Sequence, residues 1–132
     1  MSERDALTAN AEFYRAFRER DYPGMDALWA RETVVACIHP GTPTLYGRGP
    51  VLASWRAIMS SKDSPRIKAM DETASVFGDT AIVTCTERVG KTRVAATNIF
   101  IKERGNWRML HHHASPVGRD MLEDSTPDRS LN

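Results

Sequence analysis

The spacing of apolar residues changes once along this chain, from three or four to two, and the change falls between Met59 and Pro65. Amphipathic helices dominate one side of that switch and strands the other, which leaves few architectures open. Residues 3 to 20 carry Ala6, Ala9, Phe13, Ala16 and Phe17 at helical spacing, and Ser2 with Asp5 makes a capping-box pattern, so a first helix is predicted there. Pro23 opens a shorter second helix, with Asp21 as its cap and Met25, Leu28 and Trp29 as its apolar stripe. The run Val34 to His39 reads as a strand. Pro40-Gly-Thr-Pro43 and Gly47-Arg-Gly-Pro50 bracket a loop, and Pro50 starts a third helix with Val51, Leu52, Trp55, Ile58 and Met59 on one side.

Past the switch, strands are predicted at about 65 to 77, 80 to 90, 92 to 103 and 107 to 115, joined at Gly78-Asp79, Gly90-Lys91 and Gly105-Asn106. Connections that short make successive strands antiparallel neighbours. The expectation is therefore an α+β domain over residues 1–116, three N-terminal helices packed in a curved antiparallel sheet, followed by a polar, flexible tail over 117–132.

Charge and hydropathy remove several classes of function. Eighteen Lys and Arg against seventeen Asp and Glu give a net charge of +1 with no basic block, so a nucleic-acid partner is not expected. The longest uninterrupted apolar run, Val34 to Ile38, is far short of the ~20 residues of a spanning helix, and the N-terminal stretch Met1-Ser-Glu-Arg-Asp5 is rich in charge, with no apolar segment of an export signal. A cytoplasmic protein without membrane contact is expected. Cys37 and Cys85, the two cysteines present, read as reduced core thiols.

The strand Trp107-Arg-Met-Leu-His-His-His-Ala-Ser-Pro116 holds three of the four histidines. Strict alternation sends His111 and His113 to one face and His112 to the other, where it would be exposed or at a dimer face.

The element order, with Phe13-Tyr14-Arg-Ala-Phe17, Asp21 with Met25 to Trp29, Gly47-Arg48, Gly105-Asn-Trp107 and His111-His-His-Ala-Ser115, resembles the nuclear transport factor 2-like superfamily, and within it the SnoaL-like proteins. The resemblance runs from about residue 5 to 116. It implies a cone-shaped fold with an internal cavity, a homodimer built on the outer sheet face, and a small apolar ligand. Members include ketosteroid isomerase, scytalone dehydratase, polyketide cyclases and non-catalytic binding domains.

Set beside the ketosteroid isomerase pattern, His39-Pro40 resembles the general-base position, and Asn98 with Phe100 resembles the oxyanion-hole acid and its pocket phenylalanine. Tyr14 falls one position from the oxyanion tyrosine, with Phe13 at the strict equivalent. His111, His113 and Ser115 take the pocket-facing positions, and a Gly105-Asn106 turn would pair Phe100 with His111 and Asn98 with His113. The resemblance then implies proton transfer on a small apolar carbonyl compound, by isomerisation, dehydration or cyclisation. His39 would be the base, Asn98 and Tyr14 the donors, and His111 and His113 the groups returning the proton. Phe17, Trp29, Trp55 and Phe100 are the expected apolar walls. No cofactor is expected, and a metal on His111, His113 and His39 is disfavoured because no carboxylate is placed to orient the rings. The competing reading is a non-catalytic ligand-binding or dimerisation domain.

Overall fold

The computed structural model describes residues 2–118. Three helices, α1 (Glu3–Arg18), α2 (Tyr22–Leu28) and α3 (Arg48–Ser60), pack on a sheet of six strands: β1 (Ala36–Ile38), β2 (Leu45–Tyr46), β3 (Lys68–Phe77), β4 (Thr80–Val89), β5 (Thr92–Glu103) and β6 (Asn106–Pro116). Ser2 caps α1 through the predicted reciprocal box with Asp5, and Asp21 caps α2 by accepting from the Gly24 amide. Arg48 ties the start of α3 to the end of α2 by donating to the carbonyls of Trp29 (2.8 Å) and Ala30 (3.2 Å). The expected tail falls outside the described residues, apart from Val117 and Gly118.

Spatial order in the sheet is β2-β1-β6-β5-β4-β3. The long strands form the expected antiparallel meander, but the sheet is mixed, because β1 runs parallel to β6 with Ala36, Cys37 and Ile38 opposite His111, His112 and His113. The bracketed loop also contains a strand, β2, too short to show a period in sequence. The core lies between helices and sheet, with Phe13, Met25, Trp29, Val51, Val83, Phe100 and Met109 fully enclosed.

The hairpin joining β5 to β6 departs from the expected register in two ways. The turn is Arg104-Gly105, with positive φ at both residues, as a two-residue I′ turn requires, so Glu103 pairs with Asn106 and Phe100 with Met109. That displacement alone would keep the predicted faces. The second departure is a β-bulge: Ile99 pairs with His111, leaving Leu110 as an extra residue in β6. Inward positions are Trp107 and Met109 before the bulge, and His112 and Ala114 after it. His112 is therefore buried, at 2% exposure, rather than at a surface, and Asn98 stands opposite His112, not His113.

Candidate functional site

Between α1, α3 and the concave side of the sheet lies a cavity of about 350 Å³. Alternation along β4 sends Ala81, Val83, Cys85, Glu87 and Val89 inward, so a carboxylate arrives among apolar neighbours. Helical spacing brings Phe13, Tyr14 and Phe17 to the cavity from α1, and Trp55 and Ile58 from α3. The cavity lining is mostly apolar. Its ionisable members are Tyr14, His39, Glu87 and His112.

Three of these belong to one buried hydrogen-bonded network. The Tyr14 hydroxyl donates to Glu87 Oε2 (2.6 Å) and accepts from Asn98 Nδ2 (3.1 Å). Asn98 Nδ2 also donates to Asn10 Oδ1 (2.8 Å), which directs Asn98 Oδ1 toward His112 Nδ1 at 2.6 Å. With Nδ1 as the donor, the remaining ring nitrogen of His112 carries a lone pair, and it stands 3.9 Å from Glu87 Oε2. Complete burial pushes His112 down to about 3, so its ring is neutral in the fold. Burial raises Glu87 above the ordinary carboxylate range, with the Tyr14 hydrogen bond acting in the opposite sense. Tyr14 is raised too, by burial first and then by the neighbouring Glu87 charge.

His39 faces this group across the indole of Trp55, its ring centroid 4.8 Å from Trp55 and 6.5 Å from His112. Ser54 Oγ donates to the Val51 carbonyl at 2.7 Å, so its contact with His39 Nε2 at 2.9 Å has the imidazole as donor. That assigns the Nε2–H tautomer and leaves Nδ1 as the ring's acceptor. Burial lowers the His39 value as well. The site thus combines imidazoles whose burial disfavours the charged form with a carboxyl group that burial shifts upward, a pairing suited to proton transfer. Among the described residues no group of three or more His, Cys, Asp or Glu is placed to hold a metal ion.

Comparison with known proteins gives this geometry a family. The model of the SnoaL-like domain matches residues 6–118. The chain belongs to the SnoaL-like family. This SnoaL-like chain is 37% identical to a provisionally named dehydratase of the NTF2-like family from Streptomyces avermitilis, with a TM-score of 0.80 over 88% of this chain and 96% of that one. It is 36% identical to a provisionally named calcium/calmodulin-dependent protein kinase type II association domain from Thiobacillus denitrificans, with a TM-score of 0.72 over 83% and 93% of the two chains. A curated relative, F-box protein SKIP8 of Arabidopsis thaliana, is 28% identical over 114 residues, 85% of this chain. The chain spans about half the length of that relative, 49%.

The SnoaL-like fold brings some of the predicted residues together and separates others. His39, Tyr14, Phe17 and Trp55 line the cavity. Asn98 lies behind its lining, fully buried, holding His112 and Tyr14. Trp29 and Phe100 are enclosed in the core away from the cavity. His111 and His113 are on the opposite face of β6 from His112, their ring centroids 6.3 Å apart. Glu87, His112 and Asn10 were not expected. Glu87 carries a readable signal, a charged residue in phase with the apolar positions Ala81, Val83 and Cys85. His112 carries none, because one extra residue in β6 reverses its face.

Proposed function

We propose that the cavity takes a small apolar molecule with a carbonyl group and moves a proton on it, in an isomerase-, dehydratase- or cyclase-type reaction. The observation that carries this reading is the pair Glu87 and His112, both nearly inaccessible to bulk solvent and 3.9 Å apart, set into a mostly apolar cavity. Burying two ionisable groups costs stability unless each is satisfied, and a site that maintains them has a chemical use for them. His39, through the Nδ1 lone pair, is the base that removes a proton next to the carbonyl. Glu87 in its protonated form is the acid at the developing oxyanion. Tyr14 and Asn98 are positioning residues: Tyr14 fixes the Glu87 carboxyl, and Asn98 fixes the His112 tautomer. The NTF2-like relative from Streptomyces avermitilis, named provisionally as a dehydratase, supports this class of chemistry.

The test is exchange of α-protons of enolisable aryl ketones in D2O, followed by NMR. The expected result is catalysed exchange that falls by about 100-fold or more in either His39→Ala or Glu87→Gln. Saturable ketone binding without exchange would replace this reading with a non-catalytic ligand-binding domain. The association-domain relative favours that second reading and supports a further part of the proposal, a homodimer formed through the outer face of the sheet around Thr97, Ile99, His111 and His113. A cytoplasmic location is proposed on the two buried free thiols, and no helix among the described residues is long and apolar enough to cross a membrane.

A further inference from the structure

A second hollow of about 190 Å³ adjoins the apolar cavity. Phe17 and Pro65 line both spaces. The rest of the hollow is Arg18 and Arg20 from the C-terminal turn of α1, with Ser64 and Arg66 from the segment that joins α3 to β3. No acidic side chain lines it. The acids of the neighbouring turn are already engaged, because Arg15 reaches Glu19 at 3.3 Å and Asp21 at 2.8 Å. Among the described residues Arg18, Arg20 and Arg66 make no ion pair or side-chain hydrogen bond. The adjoining hollow, which shares Arg18 and Arg66, adds Lys68 and a single carboxylate, Glu72.

The backbone supplies an independent observation. Arg20 has φ of +55°, the left-handed conformation that closes a helix C-terminus and that glycine adopts at least cost. An arginine there gives up stability that a glycine would return. Arg18 and Arg20 both stand at the C-terminal end of α1, where the helix dipole favours a cation, whereas Arg66 has no reason of that kind.

We propose that this hollow is an oxyanion subsite, in which Arg18, Arg20 and Arg66 hold the carboxylate or phosphate of a ligand whose apolar body occupies the cavity across Phe17 and Pro65. Guanidinium forks match both anions through paired N–H donors, and three of them without a resident carboxylate leave a surplus of donors for the ligand to satisfy. The ligand class narrows from an apolar carbonyl compound to one that also carries a carboxylate or phosphoester. The inference rests on the reading of the cavity as a ligand site.

The test compares 2-naphthoate, naphthyl phosphate and the neutral methyl ester of 2-naphthoate as probes, by calorimetry on the full chain. One or both anions should bind about tenfold or more tighter than the ester, with an affinity that falls as salt is raised. Whichever anion shows the larger preference identifies the natural group. Arg20→Gly, which suits the backbone at that position, combined with Arg66→Gln, should abolish the preference while leaving ester affinity unchanged. Equal affinity for all three probes, or a preference unaffected by the double variant, overturns the subsite. If no naphthyl probe binds, the cavity reading fails, and the subsite is judged by titrating inorganic phosphate against the arginine Nε–H signals. Saturable shifts at Arg18, Arg20 and Arg66 sustain it, and their absence overturns it.

Discussion

His112 shows how a single side chain takes its chemistry from its surroundings. An imidazole that is ordinarily half-protonated near neutrality is held neutral here by burial, and its one N–H is used on Asn98. Because the folded value lies far below the unfolded one, the stability His112 contributes is fully present above pH 6.5 and is lost as pH falls toward 3. His39, also lowered by burial, acts in the same direction. Glu87 has the opposite sign: its raised value contributes stability below about pH 4.5 that is lost as pH rises through the folded value. Urea unfolding between pH 7 and pH 4 should therefore show a declining midpoint, and His112→Gln should flatten that decline. An acid limb unchanged in the variant would mean that His112 is not the neutral buried base described. Residue types at this site were readable from sequence only where they broke a pattern. Tyr14, His39 and Asn98 were picked out by resemblance, whereas Asn10 is a polar residue whose use depends on Asn98, 88 positions away in the chain.

The helices and the meander followed from local spacing, because capping residues, apolar stripes and glycine turns are short-range signals. What local spacing did not contain was the bulge in β6. Met109 and His112 both face inward, with Leu110 and His111 between them, so the strand spends one more residue than alternation allows. Deleting Leu110 should consequently leave the inward set intact, since Met109, His111 and His112 would then alternate normally. The shortened chain is expected to fold with a loss of about 1–3 kcal/mol, from the missing bend and the half-buried leucine, and to keep the His112 Nδ1–H signal in an NMR spectrum. If the deletion instead exposes His112 to solvent, the bulge sets the face of the strand in a way its pairing does not show. The parallel contact of β1 with β6 was equally invisible, since three residues show no period and their partner lies at the other end of the sequence.

For the molecule as a whole, the sheet has one face closed by helices and another that carries Thr97, Ile99, His111 and His113. If that outer face joins two copies, a charge placed at its centre separates them without unfolding either. Ile99→Asp should convert a dimer to a monomer in sedimentation equilibrium, with the helical circular dichroism unchanged. A protein that sediments as a monomer before the substitution removes the sheet-face dimer from the proposal. The order of strands also has a kinetic side. β1, at residues 36–38, is completed by β6, and the Ala30 amide donates to the carbonyl of Met109 at 2.9 Å. During synthesis the three helices and β1 emerge long before the strand that completes them, and closing so large a loop is slow. The apolar face of α1 must wait for β3, β4 and β6, the strands that pack on it, so the nascent chain passes through a stage in which its aromatic residues are made but not yet covered. Such a stage is where chaperones bind and where aggregation competes with folding.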